Sequence, residues 1–166
     1  MSYRSIINVN TGQIRLAKKD AILRSAALGS CIAVVAYDHT KKIGAIAHIM
    51  LPGTAPADHT KKNRYASNAI SAILTKMIEA GSQKRDIEAC IVGAGNVLKR
   101  DDDTICAINI ESVTQLLKDN NVPVRASVLG GTERKSVALD IQSGIISYTV
   151  GNGKPKLLWK PQDNAE

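Results

Sequence analysis

Phenylalanine is absent from this chain and tryptophan occurs once, at Trp159. A core without large aromatic rings has to be assembled from Ile, Val, Leu and Ala, and the 44% of apolar residues is enough for that. No apolar run approaches the ~18 residues of a membrane span, and the first residues lack a charged region followed by a long apolar stretch. The expectation is a cytoplasmic protein with no membrane insertion. Cysteine is scarce as well: Cys31, Cys90 and Cys106 are an odd number with no C-x-x-C spacing. That argues against a disulfide framework or a structural zinc site and leaves reduced thiols. Neither G-x-x-x-x-G-K-S/T nor G-x-G-x-x-G occurs, so Gly93-Ala94-Gly95 and Gly130-Gly131 are turns rather than nucleotide loops. Acidic charge is thin in one half. Residues 1–64 carry ten Lys/Arg against three Asp/Glu, whereas residues 65–166 carry twelve of each, so the whole excess of +7 lies in the first part. A field of that sign favours an acidic protein partner; nucleic acid is disfavoured because neither stacking aromatics nor a known motif accompanies the charge.

The 166 residues suit one domain, placed at 1–160 with a short tail at 161–166. Short apolar runs at Ile6–Val9, Ile14–Ala17, Ala21–Leu28, Ile32–Tyr37 and Ile43–Leu51 read as strands. Pro52 ends the last of these because it lacks the N–H that a ladder needs. The polar segment Gly53–Asn63 follows as a lysine-bearing lip. Tyr65–Ala80 repeats apolar residues at three- and four-residue spacing before Gly81 and predicts a helix. A second helix is expected to begin near Asn109, taken as its N-cap, and to run to Lys118. Strands are expected at Ile87–Val92 and Val122–Leu129, a hairpin over Ser136–Ile141 and Ile145–Val150, and a docked segment at Leu157–Trp159. Roughly eight strands and two helices make a layered α/β fold of the α+β type, with mixed sheets and flanking helices.

Chemistry concentrates at Leu28-Gly29-Ser30-Cys31. Gly29 permits a tight turn that presents the thiol at a strand entrance, and the N–H groups of Ser30 and Cys31 are placed to face a developing oxyanion. Residues paired across an antiparallel hairpin have a constant sum. A loop centred on residues 39–41 makes that sum about 79–81, which sets Cys31 opposite a position between 48 and 50. His48 shares a strand face with Ile46 and Met50, so a buried imidazole and a thiol become cross-strand neighbours, the two parts of a thiol nucleophile site. A paired imidazolium would shift the thiol toward thiolate. A lone buried His or Cys is more often a packing residue, and Cys90 and Cys106 are read that way, while His39 and His59 lie in polar loops. No ligand stands at metal spacing from His48, so neither metal nor cofactor is expected.

Leu28-Gly29-Ser30-Cys31 with Ile32–Asp38, followed by Gly44-Ala45-Ile46-Ala47-His48-Ile49-Met50-Leu51-Pro52, resembles the bacterial chemoreceptor glutamine deamidases of the CheD family. Arg64-Tyr65-Ala66, Ile91–Asn96, Asn109 with its helix, and Gly130-Gly131 through Ser136-Val137 extend the resemblance in order along nearly the whole chain. It implies a fold like the catalytic domain of cytotoxic necrotizing factor. It also implies a catalytic Cys31 and His48, and a third hydroxyl residue six positions before the cysteine, usually Thr and here Ser25. The implied reaction is deamidation of selected glutamines in methyl-accepting chemotaxis receptors to glutamate, through a thioester, with docking to the phosphatase CheC as a further implied partnership. The rival class is a non-catalytic adaptor of the same fold, which binds a phosphatase or a receptor through its basic half. An acyl-transfer enzyme of the transglutaminase kind is a nearer variant of the thiol chemistry.

Overall fold

The computed structural model describes residues 4–162. The chain opens with five strands: β1 (Ser5–Asn8), β2 (Ile14–Lys18), β3 (Ala21–Leu28), β4 (Ile32–Asp38) and β5 (Ile43–Ile49). Then come α1 (Ala66–Glu79), β6 (Ile87–Gly93), α2 (Ile105–Asp119), β7 (Val124–Leu129), β8 (Lys135–Asp140), β9 (Ile146–Val150) and β10 (Lys156–Trp159). One sheet has the order β1-β3-β8-β9-β10 and the other β2-β5-β4-β6-β7. Both are mixed: β1 runs parallel to β3 and β6 parallel to β7, and the remaining neighbours are antiparallel. This is the layered α+β arrangement that the pattern of runs predicts. Of the expected tail, residues 163–166 lie outside the described residues.

The continuous apolar run of β4 marks a strand covered on both faces, and every residue of β4 and β5 is buried. Ile32, Val34 and Ala36, with Ala45, Ala47 and Ile49, pack against α1 and α2. Ala33, Val35 and Tyr37, with Ile46, face the other sheet and meet Leu23, Val137 and Leu139. The molecule is therefore three layers deep, helices on sheet on sheet. The outer sheet has one wet face, and β8 accordingly alternates buried and half-buried residues.

Local chemistry sets the boundaries. Asp38 Oδ1 accepts a hydrogen bond from the Lys41 N–H at 3.2 Å and closes the turn between β4 and β5. α1 ends in a Schellman motif: the Ser82 N–H donates to the Met77 carbonyl and the Gly81 N–H to the Ile78 carbonyl, each at 3.0 Å. Gly81 holds the left-handed conformation this requires, φ +118°. α2 departs from expectation. It starts at Ile105 with Thr104 at its N-cap, four residues before Asn109, which sits inside the helix and is fully buried. Cys106, Asn109, Val113 and Leu117 form the buried stripe, and a polar residue within that stripe masked its period. No helix among the described residues is long and apolar enough to cross a membrane.

Candidate active site

The hairpin of β4 and β5 pairs Ala33 with His48 and Ile32 with Ile49, a register sum of 81 at the upper end of the expected range. Extended by one residue, that register sets Cys31 opposite Met50 and diagonal to His48. Diagonal neighbours on one face are ~7–8 Å apart at the backbone. Both side chains belong to the face that meets the outer sheet, at the end of the sandwich where β4 begins. Among the described residues no hydrogen bond joins the Cys31 Sγ to the His48 ring, so the two are neighbours rather than a bonded pair. Cys31 is half-buried and His48 is 4% exposed.

A chain of hydrogen bonds fixes the imidazole from the outer sheet. The Ser25 hydroxyl, on β3 and fully buried, donates to the Val9 carbonyl at 2.9 Å and lies 2.9 Å from His48 Nδ1. Its one proton is committed to Val9, so it accepts from Nδ1–H. The Val9 carbonyl, 3.3 Å from Nδ1, is also an acceptor only, and both contacts select the tautomer protonated at Nδ1. Nε2 is left as an acceptor, with the Thr11 hydroxyl 3.5 Å away. The backbone of His48 is tied as well: its N–H donates to the Gln13 carbonyl at 3.1 Å and its carbonyl accepts from Gly12 at 2.9 Å.

The electrostatics differ from the sequence expectation in one respect. Burial pushes the Cys31 thiol above its usual 9.0. Burial also pushes the His48 imidazole below its usual 6.5, against an opposing pull from the Val9 carbonyl. Both directions work against a resting thiolate–imidazolium pair, the opposite of the shift expected from the residue types. Taking two charges out of water without a mutual hydrogen bond is what disfavours the ion pair. One feature works in the thiolate's favour: Ile105 and Cys106, the first turn of α2, line the same cavity as Cys31. A helix N-terminus carries roughly half a positive charge. That cavity encloses about 400 Å³ and is walled by Ser30, Gly95, Val97, Ile105 and Arg134 around the thiol.

The turn before Cys31 is built differently from the expected glycine turn. Gly29 is not in the left-handed region, and a Cβ there would make only ordinary contact with Val97, at 3.7 Å. The left-handed residue is Ala27, φ +54°, at a register break in β3 between Ser25 and Leu28. The glycine that the segment around Cys31 requires is Gly93, at the end of β6. Its φ is +135°, and a Cβ would lie 2.2 Å from the Cys31 carbonyl oxygen. The two chains run that close because the Ala94 N–H donates to the Cys31 carbonyl and the Gly95 N–H to the Gly29 carbonyl, each at 2.8 Å.

The contacts of two residues at this site were not predicted by the sequence. Asn109 donates through Nδ2 to the Ser30 carbonyl at 3.0 Å and the Met50 carbonyl at 3.2 Å. Lys135, 5% exposed, donates to the carbonyls of Gly130 and Glu133 behind the cavity wall, and burial lowers its pKa. For both, a polar residue inside an otherwise apolar pattern was the available signal. Cys90 is a buried packing residue as expected, and Cys106, also buried in the core cluster, lines the cavity beside Cys31. His39 is exposed, while His59 stands edge-on to Tyr65 at 5.4 Å between ring centres.

Comparison with known proteins adds the following. The family described as CheD chemotactic sensory transduction matches residues 50–149. The probable chemoreceptor glutamine deamidase CheD of Chlorobium luteolum is 38% identical over 90% of this chain and 75% of its own length. The chemoreceptor glutamine deamidase CheD of Thermotoga maritima is 30% identical, over 88% of this chain and 93% of its own. Among solved structures, the Bacillus licheniformis hypothetical protein YfiH aligns over 72% of this chain and 49% of its own, with 16% identity and a TM-score of 0.46.

Proposed function

The chain belongs to the CheD family, and on that premise we propose that it is a protein-glutamine deamidase acting on the cytoplasmic domains of methyl-accepting chemotaxis receptors. The observation that carries the reading is the hydrogen-bond chain from Val9 through Ser25 to His48 Nδ1, which leaves Nε2 unprotonated and able to act as a base, on a strand face shared with the half-buried Cys31. A packing histidine needs one buried partner. This one has its tautomer set from behind, and its free nitrogen shares a sheet face with a thiol that opens to a cavity.

The reaction follows from those groups. As the Cys31 Sγ attacks the carboxamide carbon of a glutamine, its proton passes to His48 Nε2 and the C=O electrons move onto oxygen. The N–H groups of Ser30 and Cys31 hold that oxyanion. Collapse of the tetrahedral adduct breaks the C–N bond, and His48 returns the proton to the departing nitrogen, so ammonia leaves and a thioester remains. His48 then takes a proton from water. The hydroxide attacks the thioester carbon, collapse of the adduct breaks the C–S bond, and His48 gives that proton to the departing sulfur, so the thiol is regenerated beside a glutamate side chain. Ser25 keeps Nδ1 oriented through both proton transfers and stabilises the imidazolium that forms in each. The excess of Lys and Arg in residues 1–64 supplies the attraction for an acidic receptor surface. Docking to the phosphatase CheC is proposed on the family resemblance alone.

The test is incubation with receptor cytoplasmic domains, with ammonia release and the conversion of –NH₂ to –OH followed by intact-mass spectrometry. The wild-type chain should convert specific glutamines, and Cys31→Ala should convert none. Equal conversion by Cys31→Ala refutes the thiol mechanism, and no conversion by a folded wild-type chain across several receptors favours the adaptor.

A further inference from the structure

Three successive carbonyls of the nucleophile segment are each anchored from a different direction. The Gly29 carbonyl accepts from the Gly95 N–H at 2.8 Å, the Ser30 carbonyl from Asn109 Nδ2 at 3.0 Å, and the Cys31 carbonyl from the Ala94 N–H at 2.8 Å. A peptide unit is planar and trans, so fixing a carbonyl fixes the N–H at the other end of the same plane, pointing the opposite way. The anchor on Gly29 thereby aims the Ser30 N–H, and the anchor on Ser30 aims the Cys31 N–H. Neither of these two N–H groups has a hydrogen-bond acceptor among the described residues. Two of the three anchors are backbone amides that any sequence supplies. The third is the side chain of Asn109.

From this arrangement we infer that Asn109 is a positioning residue, which orients the Cys31 N–H for an oxyanion and locks the nucleophile turn to the histidine strand. The lock to the histidine strand comes from the other bond that Nδ2 makes, to the Met50 carbonyl at 3.2 Å, two residues beyond His48. One amide nitrogen thus spans the entrance of β4 and the end of β5. Both acceptors are carbonyl oxygens, so the side-chain amide can present only its NH₂ to them. Its Oδ1 consequently faces inward, fully buried and without a partner. A buried acceptor left unpaired is unfavourable for folding. An Asn retained for packing would have been better replaced by an apolar residue, whereas an Asn that aims a peptide plane has to accept this orphan.

The inference deepens the proposed reaction and rests on it for the oxyanion's identity, so its test uses the isolated protein and two small probes. Iodoacetamide alkylates Cys31 by displacement at saturated carbon and develops no oxyanion. Butanal takes up the Cys31 S–H across its C=O, forming a C–S bond and placing the proton on oxygen, so its capture depends on the two N–H groups. The affinity of butanal is read as protection of Cys31 from iodoacetamide. Asn109→Ala should weaken butanal protection by tenfold or more while changing the unprotected alkylation rate by less than about threefold, and, on receptor substrate, should lower kcat rather than raise KM. Asn109→Asp, of the same size but with at most one proton to donate, should fall in the same direction. Buried Cys90 monitors folding in each variant. Undiminished butanal protection in a folded variant overturns the inference. So does loss of folding in both variants, shown by fast alkylation of Cys90, because that assigns Asn109 a structural role only. If the wild-type chain captures butanal in an Asn109-dependent way yet deamidates no receptor, the positioning role stands and the deamidase reading fails.

Discussion

Ser25→Ala removes the hydroxyl bonded to His48 Nδ1, and its consequences for stability and catalysis separate. In the resting protein two bonds of 2.9 Å are lost, one to the Val9 carbonyl and one from Nδ1–H. The Nδ1–H keeps a fallback, because the Val9 carbonyl already lies 3.3 Å away. The two groups left behind can pair with each other after a small shift. The expected loss of stability is therefore near the lower end of the ~1–3 kcal/mol for a buried polar group deprived of its partner. In the proposed reaction His48 becomes an imidazolium, and the Nδ1–H bond to Ser25 becomes charge-assisted. Bonds to charged groups contribute about 1.5–3 kcal/mol against about 0.5–1.5 for neutral ones. The difference, about 1–1.5 kcal/mol, is missing only where the charge is present, and it corresponds to roughly a tenfold fall in kcat. KM should hold steady, since the fully buried Ser25 touches no substrate. The acid limb of the rate profile should also move to lower pH, because the imidazolium has lost a stabilising acceptor. Ammonia release from receptor fragments, measured over a pH series, reads all three quantities. Ser25→Thr, which keeps the hydroxyl and narrows its rotamers, should stay near wild type. Loss of activity as complete as in Cys31→Ala, or an unmoved acid limb, would refute this account of how Ser25 acts.

Gly93→Ala and Gly29→Ala should behave oppositely despite their symmetric look in sequence. The first places a Cβ 2.2 Å from the Cys31 carbonyl at φ +135°, which adds about 1–3 kcal/mol of backbone strain to about 1–3 of overpacking, whereas the second meets only Val97 at 3.7 Å; thermal melts and kcat should show loss at 93 and tolerance at 29. With burial working against a resting ion pair, kcat/KM should fall on the acid side below pH 6.5, where His48 gains its proton, and the alkylation of Cys31 should rise with an apparent pKa above 9.0. A thiolate plateau at neutral pH would contradict that. Cys90 is held to about 12 by burial, so the folded chain keeps a proton that the unfolded chain loses above its usual 9.0. The unfolded state then binds fewer protons, and stability should decline by up to about 1.4 kcal/mol per pH unit between 9.0 and about 12, seen as falling urea midpoints.

What the sequence could disclose about this site follows the range of the interactions involved. Cys31 and His48 are brought together by a hairpin, so chain spacing alone predicts their proximity, and the observed register sum of 81 lies within the expected window. The split of β5 into an Ile46–His48 face and an Ala45–Ala47–Ile49 face is likewise local, because it depends only on the period of a strand. Ser25 is another matter. Its contact with His48 crosses from one sheet to the other, and no spacing encodes how two sheets stack; only the family resemblance pointed to it. Asn109 was misplaced for a related reason. Asn is favoured at helix N-caps, and nothing local distinguishes a capping Asn from one whose amide reaches two carbonyls 59 and 79 residues away in sequence. Gly29 and Gly93 invert in the same way: both sit beside strands, but only the packing of β6 against the Cys31 carbonyl decides which of them must lack a side chain.

The charge state of the thiol was the least legible property, and it bears most on mechanism. Residue types alone suggest an ion pair, since a thiol and an imidazole have pKa values close enough to exchange a proton. Burial moves them apart, the thiol up and the imidazole down, which works against a resting ion pair. A neutral thiol is a poor nucleophile, so in the proposed reaction the proton moves during attack rather than before it. That places the demand on two things the structure already holds fixed. One is an Nε2 left unprotonated by the Val9–Ser25 chain. The other is a pair of N–H groups without internal acceptors, aimed by their anchored carbonyls. Charge then develops only when a carboxamide is present to receive it on oxygen. On this account the burial that suppresses the resting thiolate also protects Cys31 from stray electrophiles and oxidants, which react with thiolates. Slow oxidation of Cys31 by dilute peroxide, alongside full deamidase activity on receptor, would separate this design from a preformed ion pair, and rapid peroxide inactivation at neutral pH would exclude it.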